Sequence, residues 1–136
     1  MHRRTFLIAA TATAVAGPAF ALTGRPYTPG LVDKALADGK TVFLDVYTDW
    51  CSTCRAQGRA IRALQGENPA YAANIEFVAL DWDTHSQSKL AKRLNIPRRS
   101  TLIVLKGDQE LGRIVAGTSK RAIKDLMDTA LGAATA

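Results

Sequence analysis

The sequence predicts one α/β domain: a central mixed β-sheet of about four strands, flanked by helices on both faces. Three observations predict it. Short β-branched and aromatic runs alternate with stretches of helical spacing. The last two apolar runs are joined by Lys106-Gly107-Asp108-Gln109, a hairpin signal. An amphipathic helix closes the chain. Strands separated by helices imply right-handed parallel crossovers, and the hairpin adds an antiparallel edge.

The elements follow in order. Residues 22–29 contain Gly24, Pro26 and Pro29 and read as a linker. Leu31, Val32, Ala35 and Leu36 fall at helical spacing between Gly30 and Ala37, before the stop Asp38-Gly39. Thr41 to Tyr47 reads as a buried strand. Cys51 to Gln65 reads as a helix with Gly66 as its C-cap, and Asn68 to Ala73 as a further short turn. Ile75 to Leu80 is a second strand. Thr84 to Gln87 has the capping-box pattern ahead of a helix over Ser88 to Leu94. Thr101 to Leu105 and Glu110 to Val115 are the hairpin strands. Ser119 to Leu131 places Ile123, Leu126, Met127 and Ala130 on one side. There is no internal repeat.

The first residues have a different character. A basic start, Met1 to Arg4, leads into the 11-residue apolar run Phe6 to Ala16, a Gly17-Pro18 break and Ala19-Phe20-Ala21. That is the layout of a cleavable export signal, and it is too short to span a bilayer. Arg3-Arg4-Thr5-Phe6-Leu7 resembles the twin-arginine motif, and the weak Ala/Thr-rich run suits that pathway. The expected organisation is a signal over 1–21, a linker over 22–29 and the domain over 30–136, exported to the periplasm without stable membrane insertion. The net charge of +6 is modest, and no dense basic run interleaved with aromatics argues for nucleic acid.

The chemistry concentrates at Trp50-Cys51-Ser52-Thr53-Cys54, which holds the only two cysteines in the chain. Disulfides persist outside the cytoplasm. A loop this small is stabilised little by chain entropy, so a redox role is favoured over a staple. Cys51 falls at the start of a helix, where unpaired N–H groups and the helix dipole favour a thiolate. A metal site is the competing reading, but two cysteines supply two ligands where closed zinc sites need four. Asp45 lies in an apolar strand; burial raises a carboxyl pKa and makes it a proton acceptor for Cys54. Arg55, Arg59 and Arg62 form one helical stripe, read as a solvated face. Arg98 and Arg99 precede the third strand, and Gly58 reads as a point of close packing between helix and sheet.

Asp45-X-X-X-Asp49-Trp50-Cys51-X-X-Cys54, Thr101 to Gly107 and Gly117 together resemble the thioredoxin-like superfamily over nearly the whole chain after the signal. The stretch Phe43 to Arg55 is most similar to periplasmic thiol:disulfide reductases. The resemblance implies a thioredoxin-like fold, with Cys51 as nucleophile, Cys54 as resolving cysteine and Asp45 as buried acid. It implies Trp50, Arg99 and Ser100 as substrate-binding residues, with Arg99 favouring the Cys51 thiolate. The chain departs from the family twice. The lysine that often pairs with the buried acid falls at Ala79. The proline of the loop facing the thiols is replaced by Ser100, unless Pro97, three residues earlier, takes its place. The implied activity is reduction of disulfides in exported proteins, by a monomer without a cofactor that draws electrons from a membrane thiol reductase. Ser52-Thr53 matches neither the reducing Gly-Pro nor the oxidising Pro-His pair. A disulfide oxidase or isomerase, or a redox-inert metal chaperone on the same fold, stays open.

Overall fold

A computed structural model describes residues 21–136; the expected export signal lies outside the described residues except for Ala21. In chain order the elements are β1 (Arg25–Pro26), α1 (Leu31–Ala37), β2 (Thr41–Tyr47), α2 (Ser52–Glu67), α3 (Ala70–Asn74), β3 (Ile75–Asp81), α4 (Trp82–His85), α5 (Lys89–Arg93), β4 (Thr101–Lys106), β5 (Gln109–Val115) and α6 (Lys120–Thr135). The sheet has five strands in the order β1-β3-β2-β4-β5. Three details depart from the sequence reading. The α2 helix runs through Gly66 and ends at Asn68, whose N–H bonds the Leu64 carbonyl. The Thr84–Gln87 pattern caps nothing. Asp81 and Ser88 cap the two short helices instead, each accepting a backbone N–H on its side-chain oxygen.

The direction of β4 positions the site. β2 pairs parallel with β3 and antiparallel with β4. A helix between β3 and β4 led to the expectation of a parallel crossover. But α5 has only five residues, about 7.5 Å of helix, against roughly 23 Å for a seven-residue strand. Neither it nor the four-residue α4 runs the length of the sheet. The chain stays at the carboxyl end of β3 and enters β4 there, pairing Thr101 with Val46. The start of β4 therefore lies beside the end of β2.

The central strands are buried on both faces. Val42, Leu44 and Val46 of β2 join one core with Val32, Leu90 and Ile96. Phe43 points the other way, into a core with Ile61 and Leu64 of α2 and Ile123, Met127 and Ala130 of α6. The two-residue period of a strand puts Asp45 on the Phe43 face, beneath α2.

The segment 22–29 is part of the domain rather than a linker. β1 pairs parallel with β3, and the Tyr27 N–H bonds the Ala79 carbonyl at 2.8 Å. Thr23 and Tyr27 are buried. Gly24 is required by closeness: a Cβ there would lie 2.3 Å from the Phe77 carbonyl oxygen. Backbone atoms cannot yield as a flexible side chain can. We therefore expect Gly24→Ala to destabilise the chain by about 1–3 kcal/mol in urea unfolding. A variant equal to the parent would show that the segment is not anchored in solution.

Candidate active site

Cys51 is the N-cap of α2, in extended backbone with φ −88°. Its Sγ accepts the Cys54 N–H at 3.2 Å, one of the donors that a helix start leaves unpaired. Both cysteines are unjoined and buried, 4% and 1% exposed. Facing them, Ser100 stands immediately before β4 and is fully buried. Its Oγ lies 3.3 Å from Cys51 Sγ and 3.0 Å from Cys54 Sγ. Its φ of +63° is unusual for a non-glycine residue. Three bonds hold it there. Its N–H donates to Val46 O at 2.7 Å, and its carbonyl accepts from Ala116 N at 2.8 Å and Gln57 Nε2 at 2.9 Å. The same Gln57 nitrogen reaches Gly117 O at 2.9 Å.

The two sulfurs are held differently. Burial pushes Cys51 up, but the neighbouring Cys54 thiol, together with hydrogen bonds from the Ser100 hydroxyl, the Cys54 N–H and the Arg99 side chain, outweighs it and brings its pKa down to about 7. Cys54 moves the other way: burial raises it, and its place beside the Cys51 sulfur adds to the rise. The pair is thus set up as one thiolate and one thiol.

Trp50 is 56% exposed, so it is a surface lip and not core. Its Nε1–H donates to Asp83 at 2.8 Å, and the Arg99 guanidinium carbon sits 4.4 Å from the ring centroid. Pro97 is exposed and, among the described residues, every peptide bond is trans, so Ser100 is the residue that stands against the sulfurs.

Asp45 is buried, 4% exposed, beneath α2. Its strand partner across β3 is Ala79, so the lysine of the family pattern has no counterpart in that position. Thr23 Oγ1 donates to Asp45 Oδ2 at 2.7 Å, while Oδ1 has no partner. Burial raises its pKa to about 6, with the Thr23 bond and the Arg62 charge opposing. Arg62 is accordingly not part of a solvated stripe. It lies over Gly58, which makes room for its guanidinium rather than for the sheet, and donates to Ala21 O at 2.7 Å. Arg55 turns to the Asp49 carbonyl, and Arg59 is exposed.

Two site residues escaped the sequence reading. Gln57 carried a signal: it interrupts the buried stripe Cys54, Ile61, Leu64 with a polar group. Thr23 carried none, since it sits in a Gly/Pro-rich stretch. Among the described residues, no group of three or more His, Cys, Asp and Glu side chains is placed to hold a metal ion.

Two outcomes follow from these environments. Asp45 keeps its proton in the folded state to about pH 6, but releases it near pH 3.9 when unfolded. Its contribution to stability is full below about pH 4 and is lost as pH rises through 6, roughly 3 kcal/mol in all. In urea unfolding, Asp45→Asn should gain on the parent between pH 4 and pH 7.5. A difference that does not change with pH would refute the buried carboxyl. For Arg99→Ala, the pH of half-maximal alkylation of Cys51 should climb from about 7 toward the ordinary 8.5. An unchanged midpoint would remove Arg99 from the site.

The thioredoxin family profile matches residues 28–129. Thioredoxin-2 of Saccharomyces cerevisiae is 32% identical over 93 residues, covering 68% of this chain and 83% of that protein. A thioredoxin of Mycobacterium tuberculosis is 28% identical over 94 residues, covering 68% and 77%. Among solved structures, Trxlp from Edwardsiella tarda superposes with a TM-score of 0.66 at 31% identity, over 76% of this chain and 96% of that one.

Proposed function

The chain belongs to the thioredoxin family and is a thiol–disulfide oxidoreductase, and from that premise we propose that it reduces disulfides of exported proteins through Cys51 and Cys54. The observation that carries thiol exchange through this pair is its asymmetry: a thiolate-favoured Cys51 at the helix start and a thiol-favoured Cys54 one turn deeper; the reducing direction rests on the likeness of Phe43 to Arg55 to periplasmic reductases. The Cys51 thiolate attacks a substrate disulfide, forming a mixed disulfide and releasing one substrate thiolate, which takes a proton. Cys54 gives up its proton and attacks Cys51 Sγ, releasing the second substrate thiol. The substrate gains two electrons and two protons, and the chain is left with a Cys51–Cys54 bond.

To Asp45, the buried acid beneath α2 that is half-ionised near pH 6, we assign the acceptance of the Cys54 proton through water. Trp50 and Arg99 form the lip against which a substrate segment docks, with Ser100 behind the sulfurs. The signal-like residues 1–21 support action in the periplasm after twin-arginine export. Reduction there needs a donor, which we assign to a membrane thiol reductase.

The test is the reduction potential of the pair against glutathione, measured on chain recovered from the periplasmic fraction. A value near roughly −270 mV is expected, while one near roughly −120 mV would make the protein an oxidase. The oxidase reading is favoured by one feature, the depressed Cys51, since a stabilised thiolate makes the disulfide easier to reduce. Absence from that fraction would refute the compartment, and failure to form the disulfide would refute both redox directions.

A further inference from the structure

The Ser100 hydroxyl touches both sulfurs at once, 3.0 Å from Cys54 and 3.3 Å from Cys51, in a place closed to solvent. A hydroxyl has one proton to give and lone pairs to receive. Cys51 already accepts the Cys54 N–H and stands at the helix start, so it is the acceptor. Cys54, one turn deeper, is the donor. We propose that Ser100 is a catalytic residue that holds the reduced pair as a chain, Cys54 S–H to Ser100 Oγ–H to Cys51 S⁻, and that this chain sets the redox poise of the protein.

The chain exists only in the dithiol. A Cys51–Cys54 disulfide has neither an S–H to donate nor a thiolate to accept. The hydrogen bonds to ionised sulfur are therefore given up on oxidation, and Ser100 favours the reduced form. The same arrangement lets the Cys54 proton pass through Oγ, so the two thiols exchange it without solvent. Gln57 acts one step back as a positioning residue. By donating to the Ser100 and Gly117 carbonyls it fixes a backbone that sits at φ +63°, and so fixes where the hydroxyl points.

This inference rests on the redox reading above, and the experiment separates the two. The chain is equilibrated with glutathione. One glutathione disulfide takes two electrons and the two thiol protons, leaving two glutathione thiols and the Cys51–Cys54 bond. Ser100→Gly suits the positive φ and removes the whole hydroxymethyl side chain, the hydroxyl with it. Its oxidation constant should rise about tenfold, which is about 30 mV toward reducing for this couple. Its Cys51 thiolate absorbance should titrate at higher pH. Gln57→Leu keeps the hydroxyl but frees the loop, and should shift both readouts the same way by less. An oxidation constant for Ser100→Gly within twofold of the parent overturns the proposal, as does a shift toward oxidising. If Ser100→Gly does not fold, an unchanged Gln57→Leu overturns it. A parent chain that never forms the disulfide refutes the redox reading itself; a cycling parent with unchanged variants refutes only the hydroxyl chain.

Discussion

The hydrogen bond from the Ser100 N–H to the Val46 carbonyl, at 2.7 Å, ties the loop before β4 to the carboxyl end of β2. The geometry of the thiols depends on it. Five residues after Val46 the chain reaches Cys51, and the α2 helix begins one residue later. In a parallel crossover the first residue of β4 would lie at the far end of the sheet. The shortness of α4 and α5 brings the chain back at once. It thereby sets a buried hydroxyl against two sulfurs, while Gln57 on α2 clamps the loop from the other side. The site is a join between two strand ends, braced by the helix that carries the cysteines.

Two buried acids beneath one helix meet different fates, and the donor count explains why. Cys51 has several donors, a backbone N–H, the Ser100 hydroxyl and the Arg99 side chain, with the Cys54 thiol close beside them. Their sum exceeds the cost of burial, so the charged form is favoured. Asp45 has one hydroxyl from Thr23, the more distant charge of Arg62, and one oxygen with no partner. Burial wins there, and the neutral form persists to near-neutral pH. A carboxyl held in that condition lowers stability at pH 7.

The N-terminal segment takes the part that a lysine plays in the family pattern. Ala79 leaves room beside Asp45 on β3. The chain fills it by bringing Thr23 under α2, with Gln65 and Arg62 bonding the Thr23 and Ala21 carbonyls at 2.9 and 2.7 Å. Gly24 permits the close approach to Phe77 that this path requires. A stretch that resembles a spacer in composition is thus the cover of the buried acid.

Much of the fold was legible because local patterns agree with their tertiary use. The central strands Thr41–Tyr47 and Ile75–Asp81 are mostly apolar because both faces are covered, and the α6 stripe Ile123, Leu126, Met127, Ala130 is the stripe that packs. The Cys51–Cys54 spacing announces thiol chemistry because three residues span one helical turn. The α/β class, the thiol pair and the buried acid were readable from the residues alone, since each rests on periodicity or spacing within a few residues. Only the tertiary structure decided the direction of β4, the place of Ser100, the clamp of Gln57 and the cover of Thr23. Each of these is a contact between residues 20 to 60 positions apart, created by a short helix or a glycine that lets two backbones meet. Nothing in the local pattern encodes which distant partner such a residue will find.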